Sequence, residues 1–403
     1  MNLLIKNGTI IDPSQNLSET MDIWIEEGQI KELAKNISIE CENIIDAEGK
    51  YVTPGLIDMH VHLREPGFEK KETIATGSEA AAAGGFTTIV CMPNTNPVLD
   101  HAEVIQAVLN KGKKAPVNVL TMGSITQSSA GKQLSDFTTM KRAGIVGITD
   151  DGMTVMNARI MYEALGEAKK NDLLTSVHCE DTNLIYDNSV NRGQVSEQLG
   201  LQGRPNASED IMVERDILLA EAIGAKIHIQ HISSGNSVEL VRRAKKRGVK
   251  VSCEVTPHHF ALTEKAIISN GSYAKMSPPL RADKDVQAII KGLADGTIDA
   301  IATDHAPHTE EDKNKPLLDA ANGIVGLETA LGVALTYLVK TEKIDIMRLI
   351  ELMSLNPAKL LNLDKGTLKV GSAADITIID PHKQWTVNKN TFKSKGKNTP
   401  FHG

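Results

Sequence analysis

The chain has 403 residues, of which 41% are hydrophobic, and this is enough to build one large domain of about 250–300 residues and a smaller one. Its formal net charge is −7 and its basic residues are spread along the sequence, which argues against nucleic-acid or anionic-membrane partners and favours a small-molecule ligand. Four widely spaced cysteines, no secretory leader and no apolar run near the ~18 residues that span a bilayer predict a cytoplasmic protein that does not cross a membrane.

Both ends of the chain predict short strands joined by turns. Residues 1–53 contain the strand-like runs LLIKNGTIID, DIWIEEGQIKEL and NIIDAEGKYV, and residues 364–403 return to this pattern in GTLKVGSAADITIID. Because two strand-rich ends flank a different middle, we expect them to form one small β-sandwich domain.

The middle of the chain, residues 54–363, alternates between strand-like apolar runs and segments with helical spacing. The eight runs lie near residues 56–62, 86–92, 117–123, 145–149, 174–178, 226–231, 249–254 and 299–304. Segments between them, such as EVIQAVLNKGKK and ARIMYEALGEAKK, have the apolar periodicity of helices. This alternation predicts an α/β fold, a (β/α)₈ TIM barrel, because parallel strands need helical crossovers and the eighth strand can close on the first.

The first barrel strand is predicted to end in LIDMHVHLREPG, where His60 and His62 are two residues apart. Side chains two apart in a strand point to the same face, which in a barrel can be the interior. Neutral imidazole is a preferred zinc ligand, so the pair indicates a metal site. The alternative is that these histidines are only hydrogen-bonded polar residues at a strand end.

Other predicted strands also end in side chains that can bind metal. Asp151 follows strand four, His178 ends strand five, His231 ends strand six and Asp304 ends strand eight. Barrel enzymes place their active sites at the carboxyl ends of the strands, so these residues are expected to converge with His60 and His62. Six ligands exceed the need of one tetrahedral zinc, which favours a two-metal site bridged by a carboxylate.

The neighbouring pair Asp150–Asp151 offers two carboxylates. We assign Asp151 as the ligand and Asp150 as support, because an Asp before Asp-Gly often caps a turn or helix. A metal-bound hydroxide is the expected nucleophile, since a divalent metal lowers the pKa of its bound water. Asp304 is the expected general acid/base. The alternatives are that Asp304 is only a metal ligand, or that it has both roles.

The substrate side is predicted from residues close to these ligands. Arg64 lies two residues after His62, and arginine binds carboxylates through a bidentate fork. Asn94, after strand two, and His308, after strand eight, can hydrogen-bond a polar substrate, although Asn beside Pro is often only a turn former. The polar segment 307–323 is either an active-site lid or an ordinary surface loop.

Seven motifs occur in an order and spacing that resembles a known family: DMHVHLREPG, AAAGGFTTIVCMPNTNP, ITDDG, HCED, QHISS, ATDHAPH and GIVGLET. They are similar to those of the dihydroorotases of the amidohydrolase superfamily, in particular the bacterial and archaeal type that functions as a separate polypeptide. The resemblance covers nearly the whole chain. It implies a zinc enzyme that interconverts N-carbamoyl-L-aspartate and L-dihydroorotate in the third step of pyrimidine biosynthesis.

The resemblance also implies residue roles. His60 and His62 would bind one zinc, His178 and His231 a second, with Asp151 as the bridge and Asp304 as ligand and general acid/base. The implied substrate contacts are Arg64, Asn94, Ser277, His308, Asn322 and Gly323. It further allows a homodimer and an association with aspartate transcarbamoylase.

Two departures from the family pattern stand out. Ser277, in KMSPPLR, occupies the position where the family usually has an Asn that contacts substrate, so a shorter hydroxyl would substitute, directly or through water. The chain also stops at FHG, before the last strand-forming segment that family members usually have, so the expected β-domain lacks that segment.

Two other functions are weighed against this one. The related hydantoinases and allantoinases bridge their metals with a carboxylated lysine, but no lysine occurs from Gly144 to Asn157, where Asp151 takes that place. A non-catalytic relative that serves only as a partner of aspartate transcarbamoylase would have lost metal ligands, and all six are present. The sequence therefore predicts an active cyclic amidohydrolase.

Overall fold

The computed structural model describes residues 2–403, in which fourteen strands and fourteen α-helices occur. The strands are β1 (Asn2–Asp12), β2 (Leu17–Glu26), β3 (Gln29–Ala34), β4 (Ile44–Asp46), β5 (Tyr51–Pro54), β6 (Leu56–Val61), β7 (Phe86–Cys91), β8 (Asn118–Thr121), β9 (Gly147–Ile148), β10 (Leu174–Val177), β11 (Ile227–Ile229), β12 (Val251–Val255), β13 (Ala300–Ile301) and β14 (Ile376–Ile379). The longer helices are α1 (Ile74–Ala83), α2 (Ala102–Gly112), α3 (Phe137–Ala143), α4 (Ala158–Lys170), α6 (Ala207–Ile223), α7 (Gly235–Lys246) and α10 (Asp283–Ala294). The shorter ones are α5 (Gln194–Gln198), α8 (Pro257–Ala261), α9 (Ala266–Asn270), α11 (Glu310–Lys313), α12 (Ala330–Ala334), α13 (Ile346–Ile350) and α14 (Asn356–Leu360).

Strands from both ends of the chain form a single six-stranded sheet. Its order is β14-β5-β1-β2-β3, with β4 paired in parallel to β1. The strand β14 pairs antiparallel with β5, which joins the last strand of the chain to the N-terminal strands. One face buries the cluster Ile5, Ile10, Ile23, Ile25, Ile30, Ala47, Val52 and Leu368. The small β-domain is therefore assembled from both termini, while its boundaries at residues 53 and 363 remain a prediction.

The final residues of the chain lie against the barrel. The side-chain amide of Asn398 donates to the carbonyls of Ala306 and Gly323, at 2.9 and 3.0 Å. Phe401 packs against the large hydrophobic core. The tail thereby contacts the loops that follow β13.

Eight parallel strands, β6 to β13, form the barrel. Hydrogen bonding joins β6-β7-β8 and β9 to β13 into two sheets, and single bridges between Gly123 and Ile148 and between Val61 and His305 connect the two. Seven of the eight predicted apolar runs contain one of these strands, and β12 extends one residue past its run, 249–254. The prediction of a (β/α)₈ barrel is confirmed.

Local sequence explains where the barrel helices begin and which face they bury. Helix α4 begins after Asn157, whose side chain accepts hydrogen bonds from two backbone N–H groups of the first turn. Its buried residues, Met161, Ala164, Leu165 and Ala168, recur at helical spacing and face the strands. The helices therefore cover the outside of the barrel, which leaves the carboxyl ends of the strands to carry the site.

The inside of the barrel contains a separate apolar cluster drawn from several strands. Its members are Met59, Val90, Met92, Met122, Leu174, Ala300, Ala302 and Leu361. These buried residues pack against one another between the strands, as expected for the core of such a barrel. Among residues 2–403, no helix combines the length and the apolar character needed to cross a membrane.

Candidate metal centre and substrate cavity

The first candidate ligand group lies where β6 ends. Nε2 of His60 is 3.3 Å from Oδ1 of Asp151, and Nε2 of His62 is 3.3 Å from Oδ2 of the same carboxylate. All three side chains are buried, and their ligand atoms lie within 4.8 Å of one another. The strand thus presents both histidines to one carboxylate, as their spacing predicts.

A second group shares that carboxylate. Nδ1 of His178, after β10, lies 2.9 Å from Nε2 of His231, after β11. The same Nε2 is 3.7 Å from Oδ1 of Asp151. Asp151 therefore belongs to both groups of side chains that could hold a metal ion.

Asp304 follows β13, the strand that closes the barrel beside β6, and lies next to the first group. Its Oδ1 is 2.9 Å from Nε2 of His62 and 3.6 Å from Nε2 of His60. Burial raises the pKa of Asp304, but the hydrogen bond and charges of the neighbouring histidines outweigh it and lower the pKa to about 2. Asp304 is therefore a carboxylate at neutral pH, able to bind metal or accept a proton.

The chemistry of these residues fits a metal ion. Nε2 of His60 is buried and makes no hydrogen bond within residues 2–403. Burial lowers the pKa of His60, but the charges of Asp151 and Glu254 outweigh burial and raise it well above its ordinary value. The carboxylates therefore favour a cation at this position, and a divalent metal is the cation that neutral imidazoles and carboxylates bind together.

Residues behind the ligands fix the orientation of the imidazole rings. Nδ1 of His60 lies 2.5 Å from Oε1 of Glu254, on β12, and Nδ1 of His62 donates to Oδ1 of Asn94 at 3.0 Å. Oε2 of Glu254 is 3.1 Å from Nε2 of His228. With Nδ1 engaged, both candidate ligand histidines present Nε2 to the site.

Three residues of the site have backbone conformations that side chains rarely adopt. The φ angles of Arg64, His231 and Asp304 are 60°, 30° and 47°. Such non-glycine residues in the left-handed region cost of order 1–3 kcal/mol each and cluster at functional sites. These three backbone conformations therefore lower the stability of the fold, and they orient the three side chains within the site.

A cavity of about 450 Å³ opens beside the ligands. It is lined by all the predicted substrate contacts: Arg64, Asn94, Ser277, His308, Asn322 and Gly323. His62, Asp151, His178, His231 and Asp304 line it as well, whereas His60 lies behind them. The structure thus brings the predicted ligands and substrate contacts together in one site.

Cationic side chains surround one part of this cavity. Nη2 of Arg64 is 3.4 Å from Nε2 of His308, and Nζ of Lys71 donates to Nδ1 of His308 at 3.2 Å. Burial, with the charges of Arg64 and Lys71, lowers the pKa of His308 to about 2. His308 is therefore neutral, and the positive charge that remains can hold a carboxylate.

The loop after β13 is held by a buried lysine. Nζ of Lys313 donates to the carbonyls of Lys275, Ala321 and Gly323 at 3.2, 2.8 and 3.0 Å. Gly323 has a φ of 116°, and a side chain there would bring Cβ within 2.6 Å of Ala306. Hydrogen bonds therefore hold the loop where it borders the cavity.

Some functional neighbours were missed in the sequence. Glu254 is a carboxylate inside a fully buried strand, and such a residue is rarely buried unless it has a partner, so this signal could have identified it. Its partner is His228, on the neighbouring strand β11. Glu180 and Arg204 also line the cavity, but only the folded chain brings them together. Asp150 accepts hydrogen bonds from Ser124 and Thr126, in the loop after β8, and its supporting role stays a prediction.

Known proteins resemble this chain over its full length. A family model described as Dihydro-orotase-like matches residues 49–237. A dihydroorotase from Thermoanaerobacter sp. (strain X514) is 50% identical over 404 residues, which cover 100% of this chain and 93% of that protein. A dihydroorotase from Acetivibrio thermocellus is 51% identical over 402 residues, which cover 100% of this chain and 94% of that protein.

The fold is shared with a wider group of enzymes. The solved structure of the L-hydantoinase (dihydropyrimidinase) from Arthrobacter aurescens matches with a TM-score of 0.90 and 28% sequence identity, covering 100% of this chain and 92% of the other. Hydantoinases therefore share the architecture, while the sequence similarity to dihydroorotases is much higher. On this full-length similarity, the chain belongs to the dihydroorotase family.

Proposed function

We propose that this protein is a dihydroorotase that interconverts N-carbamoyl-L-aspartate and L-dihydroorotate, with two zinc ions per chain. The observation that carries the proposal is the pair of buried ligand groups that share Asp151, placed beside a cavity with a cationic wall. About 50% identity to dihydroorotases along the whole chain supports the same reaction.

The proposed ligands divide between two ions. His60 and His62 would hold one zinc and His178 and His231 the other, with Asp151 bridging and Asp304 completing the first. When bound, zinc polarises a carbonyl oxygen and brings the pKa of water towards neutrality. Imidazole and carboxylate suit zinc, and no cysteine thiolate belongs to either group.

Asp304 is the proposed general acid/base. In the hydrolytic direction, it takes a proton from the attacking water as the carbonyl carbon–nitrogen bond of the ring breaks, and gives it to the leaving nitrogen. In the synthetic direction, it removes a proton from the ureido nitrogen and returns it to the departing oxygen. Its position 2.9 Å from His62 supports this role, because the carboxylate borders both ligands and cavity.

Arg64 and His308 are the proposed carboxylate site. Both substrates carry a carboxylate that does not react, and a guanidinium binds such a group through two parallel hydrogen bonds. The neutral imidazole of His308 adds a donor or acceptor without adding charge. Hydantoins and allantoin lack this carboxylate, so the same cluster favours dihydroorotate over them.

We place the enzyme in the cytoplasm, where the substrates of pyrimidine biosynthesis are made. We also propose that the chain can form a homodimer and can associate with aspartate transcarbamoylase. Sedimentation of the purified chain, alone and mixed with that transcarbamoylase, distinguishes a monomer, a dimer and a mixed complex.

The decisive experiment is a two-way assay of zinc-loaded protein. Purified enzyme is given L-dihydroorotate, N-carbamoyl-L-aspartate and, as the comparison, hydantoin, while bound zinc is measured on the same sample. We expect turnover of the first two substrates, weak or no turnover of hydantoin, and two zinc ions per chain. Absence of dihydroorotate hydrolysis by fully loaded protein would overturn the proposal. Full activity with one zinc would leave the reaction in place but remove the second ion.

A further inference from the structure

A second arginine lines the substrate cavity, and its contacts differ from those of Arg64. Arg204 is only 2% exposed. Its Nη1 donates to Oγ of Ser277 at 2.6 Å and to Oε1 of Glu180 at 2.9 Å. Arg204 therefore contacts Ser277, the residue at which the cavity lining departs from the family pattern.

Glu180 connects this arginine to the metal centre. Oε2 of Glu180 is 3.7 Å from Nε2 of His178, whose other nitrogen faces His231. The ion pair between Glu180 and Arg204, at 2.9 Å, therefore holds the guanidinium close to His178.

The cavity wall near Arg204 has unused hydrogen-bonding groups. Nε of Arg204 is buried and has no partner within residues 2–403, and the same holds for Oδ1 of Asn322. Both residues line the cavity. Unpaired buried polar atoms are rare in folded proteins, and one donor plus one acceptor is the complement of an amide or ureido group.

Ser277 completes this arrangement through its single hydroxyl. A serine hydroxyl has one hydrogen to donate and two lone pairs to accept. Because Arg204 occupies one lone pair, the O–H remains available to donate to a substrate oxygen. The pair thus offers a charge-assisted donor set in place of a single asparagine amide.

We propose that Arg204 and Ser277 together form a subsite that binds the ureido oxygen of the substrate, and that Arg204 is a specificity-determining residue. The inference rests on the proposed function, since it assigns the second polar end of the same substrate. Arg64 and His308 then hold the carboxylate, and Arg204 holds the oxygen between the two substrate nitrogens.

The test uses zinc-loaded enzyme and two substrates, L-dihydroorotate and its 2-thio analogue, whose sulfur accepts hydrogen bonds poorly. For Arg204→Met, we expect KM for dihydroorotate to rise at least tenfold with kcat within threefold of the unsubstituted enzyme. A site that hydrogen-bonds a polar group discriminates strongly against an analogue lacking it. The preference for the oxygen compound should therefore fall at least tenfold, in Arg204→Met and in Ser277→Ala.

Matched variants separate recognition from folding. Arg192→Met removes an exposed arginine from the neighbouring segment and should leave KM and the preference unchanged. In Arg204→Met/Ser277→Asn, the longer amide should recover at least half of the lost preference, on a logarithmic scale. Zinc content and thermal midpoint are measured for every variant, because Glu180 also contacts a metal ligand.

Two results overturn the proposal. One is a folded, zinc-loaded Arg204→Met enzyme whose KM and preference stay within twofold of the unsubstituted values. If that variant does not fold, an unchanged preference in Ser277→Ala has the same consequence. If the unsubstituted enzyme fails to hydrolyse dihydroorotate, the proposed function is wrong. Calorimetric titration with N-carbamoyl-L-aspartate then tests the subsite by itself. Binding that survives Arg204→Met overturns the subsite, and binding that is lost in this variant supports it.

Discussion

Nδ1 of His60 lies 2.5 Å from Oε1 of Glu254, a carboxylate that reaches it from a strand separated from β6 only by β13. Burial raises the pKa of Glu254, but the charge of His60 and the hydrogen bonds from His228 and His60 outweigh it, so the pKa is held well below its ordinary value. The carboxylate therefore stays charged, engages Nδ1 and leaves Nε2 of His60 available to a metal ion.

Replacing Glu254 by Gln should weaken metal binding without removing a ligand. Residues that orient ligand histidines typically contribute 10–100-fold to metal affinity, so we expect a loss of that size. Zinc affinity is measured by competition with a chromophoric chelator. Glu264→Gln is the control: it neutralises another buried carboxylate, which contacts Asn191 and no ligand. Equal affinity of Glu254→Gln and the unsubstituted protein would contradict the orienting role.

Replacing Asp304 by Asn should abolish most turnover while the protein stays folded. A general acid/base contributes about 10²–10⁴-fold to the rate, and we expect kcat to fall by that factor. The thermal midpoint should move little, because the side chain borders the cavity and is not part of the apolar core. Asp319→Asn, at an exposed position of the neighbouring loop, is the control for charge. Retained activity in Asp304→Asn would remove it from this role.

Replacing Lys313 by Met should disorder the loop that carries Asn322 and Gly323. The variant leaves three carbonyls without their buried donor, and an unpaired buried polar group costs about 1–3 kcal/mol. We expect a lower free energy of unfolding and a KM raised several-fold, with kcat less affected. The control is Lys315→Met, because Lys315 is exposed two residues further along the chain. Equal effects of the two substitutions would argue against the loop-holding role.

Acid should destabilise the protein in part through His259. Burial, with the charge of His231, lowers the pKa of His259 to about 4. Its ring is neutral in the folded state, with Nδ1 accepting from Thr256 and Nε2 donating to the carbonyl of Pro278. As the pH falls from the unfolded pKa near 6.5 towards 4, only the unfolded chain binds the proton, so stability is lost across this window.

The matching experiment compares denaturant unfolding at pH 7 and pH 5, with a chelator present so that metal release does not contribute. Between these values, His259→Gln should lose about 1–2 kcal/mol less stability than the unsubstituted protein. His382→Gln, at an exposed position, should behave like the unsubstituted protein. A pH dependence that is unchanged in His259→Gln would show that another group is responsible.

The sequence by itself predicted the order of the barrel strands and a set of candidate metal ligands. Eight apolar runs alternating with helical segments are enough to specify a barrel, because parallel strands require crossovers that return to the same end. His60 and His62 could be assigned because strand periodicity places both on one face. Asp151, His178, His231 and Asp304 followed from a single rule, that parallel strands bring their carboxyl ends together.

Only the tertiary structure decided which residues contact the candidate ligands and line the cavity beside them. Glu254 contacts His60 across 194 residues of sequence, and Arg204 contacts Ser277 across 73. No local periodicity relates such pairs, since their meeting depends on how distant strands and loops pack. The same packing placed the amide oxygen of Asn94 against His62, where sequence reasoning had assigned Asn94 to substrate alone. Candidate ligands at strand ends can thus be predicted from a sequence, whereas the residues that orient them depend on how the closed barrel packs.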